Sequence, residues 1–248
     1  MAIVIDSITT YDSGATKEGG PSFSVTTPAG RPRQLLLVLF GFGSDDLGNP
    51  RQVTSMTYAG QAMTRAVGLD NLTDENAVAY YIVAPAAGAN TLAISTNITG
   101  RNRVAALMLS NVDQSTPTPN TGSQNTTSDT ATITITSSIG NTIFDIYCKA
   151  GSATPTIGAD QTQRFDLSTS PDVNGSTQPG TDPTGVMSWT FTASSHLVYL
   201  AVDVKAAPTG GSQTLGMFSR LWDFYRGLEA GRLPAGELRR RYGELMSI

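Results

Sequence analysis

The stretch Ala131-Thr132-Ile133-Thr134-Ile135 sets apolar and hydroxyl side chains on alternate positions, a period of two that buries one face of a β-strand and leaves the other in water. Met187-Ser188-Trp189-Thr190-Phe191 repeats the pattern, and Val198, Leu200, Val202 and Val204 share one parity further on. Outward from these, runs of Val, Ile, Thr, Leu and aromatics extend from Ile3 to Lys205. Gly, Pro, Asn and Asp punctuate them at intervals of about ten residues, as in sandwiches and barrels. Further strands are expected at Ile3–Thr9, Ser22–Thr27, Gln34–Gly41, Thr54–Tyr58, Met63–Val67, Ala77–Val83, Asn90–Thr96, Arg103–Ser110, Thr142–Cys148 and Thr162–Leu167. The fold class implied is all-β: about thirteen antiparallel strands in a two-sheet sandwich.

Two of these strands, Leu35–Phe40 and Val104–Leu109, are apolar at consecutive positions, so both of their faces need cover. The opposing sheet supplies one cover; the other comes from this chain or from a neighbour, with the C-terminal end of the chain as a candidate. Residues 114–138 contain 14 Ser or Thr among 25, with Pro117 and Pro119. Most of this stretch reads as an exposed loop feeding a strand at 130–136. Ser168 to Gly185, with Pro171, Pro179, Pro183, Gly175 and Gly180, reads as a second polar loop.

After Lys205 the composition changes. A β domain over 1–206 gives way to a linker at 207–211 and then to residues 212–248, rich in Leu, Arg, Glu and aromatics. Phe218, Leu221, Trp222, Tyr225 and Leu228 fall on one helical stripe. Gly231 stops that helix; Pro234 suits the first turn of a second, with Leu238, Tyr242 and Leu245 on one face. The reading is a C-terminal α-helical hairpin whose apolar stripes form a docking interface. Six Arg against four acidic groups make it net +2, leaving the preceding 211 residues at net −6. Arg239-Arg240-Arg241 fits a solvated helix face or the rim of a protein contact.

Composition and charge exclude several functions. A net charge of −4 and a pI near 4.9 give no footprint for a phosphate backbone, so nucleic acid is not expected as a partner. No apolar run approaches the ~20 residues of a membrane span. The first residues, Met1-Ala2-Ile3-Val4-Ile5-Asp6, lack the basic and long apolar regions of a secretory signal. Cys148 is the single cysteine, which rules out an intrachain disulfide.

The same residues offer little to catalysis. A serine triad needs a histidine base, and the single histidine, His196, reads as a strand-edge residue hydrogen-bonded locally. Cys148 shares the parity of Phe144 and Ile146 and reads as a small core residue with a suppressed thiolate. Asp145 lies on the opposite face of that strand with no second acid two positions away, whereas glycoside hydrolysis needs a carboxylate pair. Asp45-Asp46 and Asp70 with Asp74-Glu75 do not fit the twelve-residue calcium loop. Gly41, Gly43 and Gly48 have the wrong spacing for a dinucleotide loop. Sequons at Asn71, Asn97, Asn125 and Asn174 are expected by chance in a chain of this composition, and no cofactor or metal is implied. Tyr11, Tyr58 and Trp189 are the aromatics that could stack on a sugar, with Trp189 better read as core.

Four segments, ahead of the strand at Met187, share an order and spacing with a known group. Val53-Thr54-Ser55-Met56-Thr57-Tyr58-Ala59-Gly60-Gln61-Ala62-Met63-Thr64 forms a hairpin pattern, followed by Tyr80-Tyr81-Ile82-Val83-Ala84-Pro85-Ala86-Ala87-Gly88-Ala89-Asn90-Thr91-Leu92. Asn111-Val112-Asp113-Gln114-Ser115-Thr116-Pro117 and Gln161-Thr162-Gln163-Arg164 come later, before the strand at Met187. Over residues 3–206 the chain resembles poorly characterised β-sandwich proteins of tailed-phage structural gene regions and bacterial surfaces. The resemblance implies a jelly-roll-like body and carries no catalytic residues; the helical tail lies outside it. With no secretion signal, it points to a virion structural protein, displayed on the head or as an appendage, assembled in the host cytoplasm and released by lysis. Its partners would be other virion proteins and further copies of itself. The alternative is a carbohydrate-binding, lectin-like module that recognises a host surface glycan or polysaccharide.

Overall fold

The structure, a computed structural model, describes residues 1–16, 18–43, 49–151, 154–167 and 170–208. Asp45, Asp46 and the expected docking residues Phe218, Leu221, Trp222, Tyr225, Leu228, Leu238, Tyr242 and Leu245 lie outside the described residues, as does the expected helical hairpin. In chain order the strands are β1 (Val4–Asp12), β2 (Ser22–Thr27), β3 (Leu35–Gly43), β4 (Val53–Tyr58), β5 (Gln61–Ala62), β6 (Thr64–Leu69), β7 (Glu75–Val83) and β8 (Gly88–Thr96). Then follow β9 (Arg101–Ser110), β10 (Asn120–Thr136), β11 (Thr142–Lys149), β12 (Pro155–Ile157), β13 (Thr162–Leu167), β14 (Asp172–Pro179) and β15 (Thr184–Val204). All pairings are antiparallel, and no described residue is helical.

The expected two sheets are three. A middle sheet, β1-β9-β3-β7-β6, lies between a sheet ordered β2-β8-β4-β5 and one ordered β10-β15-β11-β14-β13. The doubly apolar strands explain this layering. Leu35, Leu37 and Leu39, with Ala105, Leu107 and Leu109, meet Phe144, Ile146, Val198, Leu200 and Val202 of the third sheet. Leu36, Val38 and Phe40, with Val104, Ala106 and Met108, meet Val25, Met56, Tyr58, Leu92 and Ile94 of the first. Each buried leucine contributes about 1.5–3 kcal/mol before ordering costs, so β3 draws on both of its faces. The second cover is therefore a sheet made from residues 22–96, which corrects the expectation that the C-terminal end supplies it.

Both expected polar loops are largely strand. β10 begins ten positions before the strand expected at 130, and it pairs with β15 along almost its whole length, with a register shift between Ser128 and Thr130. There the ribbon folds back over its own sheet: a Cβ on Gly122 would stand 2.5 Å from Ile133 Cγ2, and Gln124 Oε1 accepts from the Thr132 N–H at 3.2 Å. The returning half seats Ala131, Ile133, Ile135, Met187, Trp189 and Phe191 on Ile143, Tyr147, Leu197, Tyr199 and Ala201. The strand expected at 198–204 thus has two buried faces, not one. β14 occupies the centre of the stretch expected to be the second loop, buried from Asp172 to Gln178 between β11 and β13. Pro171 and Pro179 stand at the ends of this strand rather than breaking it.

Candidate functional site

β11, β14 and β15 bring together the side chains with the most chemical potential. Asp145, on β11, is fully buried. Its Oδ2 accepts from Tyr199 OH (2.7 Å), Trp189 Nε1 (2.9 Å) and Gln161 Nε2 (3.2 Å). Its Oδ1 accepts from the Ser176 backbone N–H (2.5 Å) and hydroxyl (2.9 Å). Burial pushes this carboxyl up, and the bonds from Tyr199, Trp189 and Ser176 pull it down, burial being the larger effect. Gln161 also donates to Ser176 Oγ (2.7 Å) and accepts from the Ser188 N–H (2.7 Å). The carboxylate thereby joins the sheet, its edge and the folded-back ribbon.

Beside Tyr147, two residues after Asp145 on β11, Asp172 accepts from Asn174 Nδ2 (2.7 Å) and from Tyr147 OH (3.2 Å). Burial raises the Asp172 carboxyl to about 6 and lifts the Tyr147 phenol well above its ordinary value. Lys149, also buried, donates to Ser195 Oγ and lies over the Phe191 ring at 5.3 Å; burial lowers its ammonium. Asp203 is held by Ser137 Oγ (2.6 Å) and Asn141 Nδ2 (2.9 Å). At the far end of the middle sheet, Arg51 is buried over Phe42 and donates to the carbonyls of Gly43, Ile98 and Glu18 and to Asn102 Oδ1. Each of these groups is hydrogen-bonded to another part of the fold, the arrangement that makes a buried polar group tolerable.

His196 is not at a strand edge, and its partner is not local: it lies within β15, and Nδ1 is 3.0 Å from Glu75 Oε2 on β7, 121 positions away. The pair clips the middle sheet to the third. Cys148 is buried, and burial pushes its thiol well above the usual value. Of the expected sugar-stacking aromatics, Tyr58 and Trp189 are buried. Tyr58 OH instead bonds Thr27 Oγ1 (2.7 Å) and the Val25 carbonyl (3.1 Å). Tyr11 is half-buried, stacked on Phe23 with centroids 5.2 Å apart and donating to Glu18 Oε1. Asp70 is spent on Arg65 (2.5 Å) and the Val53 N–H (3.0 Å).

The motifs behind the sequence resemblance are turn caps. Ala59 and Gly60 carry φ of 50° and 76° between β4 and β5, the left-handed pair a two-residue hairpin turn demands. Asn90 Nδ2 faces the carbonyls of Ala86, Ala87 and Gly88 at 3.1–3.2 Å. Asp113 Oδ1 accepts from Ser115 N, Ser115 Oγ and Thr116 N, an Asx turn that holds its carboxyl well below the usual range, the Thr116 N–H being the largest contributor.

A surface cleft of about 600 Å³ is lined by Ile3, Val4, Ile139, Asn141, Arg164 and Pro179 among others, with no carboxylate, imidazole or thiol among the described residues of its wall. Among the described residues no three His, Cys, Asp or Glu side chains gather as metal ligands would. The buried carboxylate network was missed in the sequence because Asn174 and Ser176 on β14 have the composition of a loop. The parity of Asp145 opposite Phe144 and Ile146 was the one signal available. The chain matches no family model, no curated protein and no solved structure.

Proposed function

We propose that this chain is a non-enzymatic structural protein of a tailed-phage particle, displayed on the head or as an appendage, with residues 212–248 as its docking or assembly element. The observation that carries this reading is how the polar chemistry is used. Asp145, Asp172, Asp203, Lys149 and Arg51 are buried and bonded to other parts of the fold. Such an interior resists opening, and the exposed described residues are rich in Ser and Thr. That suits a protein whose work is to persist and to be displayed. The sequence resemblance to phage β-sandwich proteins, carried by motifs that form turn caps here, points to the same class.

The test is to locate the chain by peptide mass spectrometry in purified particles and to compare the full chain with one ending at residue 211. The shortened chain is expected to keep the β fold by circular dichroism and to be lost from particles. Normal incorporation of the shortened chain removes the assembly role of 212–248, and absence of the full chain from particles removes the virion reading itself.

A further inference from the structure

Sheet edges are templates for pairing, and proteins blunt them with charge, bulges, proline or brevity. Most edges here are blunted in that way. β1 carries Asp6 and Asp12 and a register shift between Ile5 and Ser7. β6 carries Arg65 and a shift between Arg65 and Val67. β13 carries Arg164 and Asp166 and a shift between Gln163 and Phe165. β5 has two residues, and β2 has six and follows Pro21. β10 is the exception. It is 17 residues long, ends its sheet, and has a single charge, Asp129, placed at the break in register.

The first half of β10, Asn120 to Ser128, is an unbroken nine-residue run with no charge, paired to β15 on one side and to no described strand on the other. Its exposed side chains, Thr121, Ser123, Asn125 and Thr127, belong to types that pair across strands by hydrogen bonds. From this placement we infer that β10 is a self-association edge, joined antiparallel to β10 of a second copy about a twofold axis through Gln124. Pro119 closes the run at one end and the register break closes it at the other. Pairing over the whole run therefore fixes the register: Asn120 faces Ser128, Thr121 faces Thr127, Gly122 faces Thr126, Ser123 faces Asn125, and Gln124 faces its twin. No like charges meet in this register, and Asp129 falls just beyond the seam. A twofold contact closes on itself, so the product is a dimer with one continuous sheet rather than a filament. This inference does not depend on the virion reading.

The register supplies the test, made on the full chain by light scattering and sedimentation velocity across a concentration series. The wild type is expected at twice the 26.0 kDa chain mass. Thr121→Lys with Thr127→Lys sets like charges opposite each other twice across the seam and is expected to weaken the dimer by about a hundredfold or more. Thr121→Lys with Thr127→Glu sets opposite charges there and is expected to restore it. A wild type that stays at 26.0 kDa up to high micromolar concentration overturns the inference. So does a dimer indifferent to the paired lysines, or equal loss in both double variants. Thermal melts of all three proteins separate a lost interface from a lost fold, since Thr121 and Thr127 are exposed.

Discussion

Replacing Asp145 by alanine withdraws the acceptor for five donors at once. Two of them, the Ser176 backbone N–H and the Trp189 indole N–H, are fixed by strand and ring and cannot turn to another partner. A buried donor left unmet costs about 1–3 kcal/mol, so this pair alone accounts for about 2–6 kcal/mol. The Ser176 and Tyr199 hydroxyls can rotate, which limits their share, and removal of a buried charge returns part of the loss. The expected net effect is about 3–5 kcal/mol, a large part of the 5–15 kcal/mol typical of a folded domain. Asp145→Asn keeps the volume and one acceptor oxygen. With that oxygen turned to Trp189 and Tyr199, its amide nitrogen opposes the Ser176 N–H, an expected cost of about 1–3 kcal/mol. Urea unfolding followed by far-ultraviolet circular dichroism, and by Trp189 fluorescence in a Trp222→Phe background, reads both. An alanine variant within about 1 kcal/mol of the parent would refute the claim that this carboxylate fastens the folded-back ribbon to its sheet.

Three further outcomes follow from other parts of the fold. A Cβ on Gly41 would stand 2.7 and 2.9 Å from the Val173 methyls, so Gly41→Ala is expected to cost about 1–3 kcal/mol. Adding Val173→Ala should recover part of it, which a double-mutant cycle measures; strict additivity would refute the contact. Asp172 holds its proton to about 6 in the fold, against 3.8 for an ordinary aspartate. The folded state therefore binds more protons between those values, and stability falls as pH rises through that window, by about 3 kcal/mol. Asp172→Asn should flatten the urea midpoint between pH 4 and 6, and an unchanged slope would assign the effect elsewhere. Ala59, at φ 50°, occupies the left-handed region; Ala59→Asn is expected to raise stability by about 0.5–1 kcal/mol, read as a higher melting temperature.

The sequence by itself determined most of the strands outside the first half of β10 and β14, and for most of them which faces are apolar. The alternation at Ala131–Ile135 and Met187–Phe191 and the double-sided runs at Leu35–Phe40 and Val104–Leu109 report backbone period and burial, both local properties of the chain. Periodicity says that a face must be covered, but not by what. The choice of sheet β2-β8-β4-β5 as the cover for Leu36, Val38 and Phe40 was decided only by tertiary packing. The same limit hid β14. Asp172, Asn174, Ser176 and Gln178 look like loop residues because water is the cheapest partner for a polar group in an unfolded chain. Tyr147, Asp145 and Gln161 supply the bonds that make the burial of Asp172, Asn174 and Ser176 possible, and only the folded chain brings those donors and acceptors within reach.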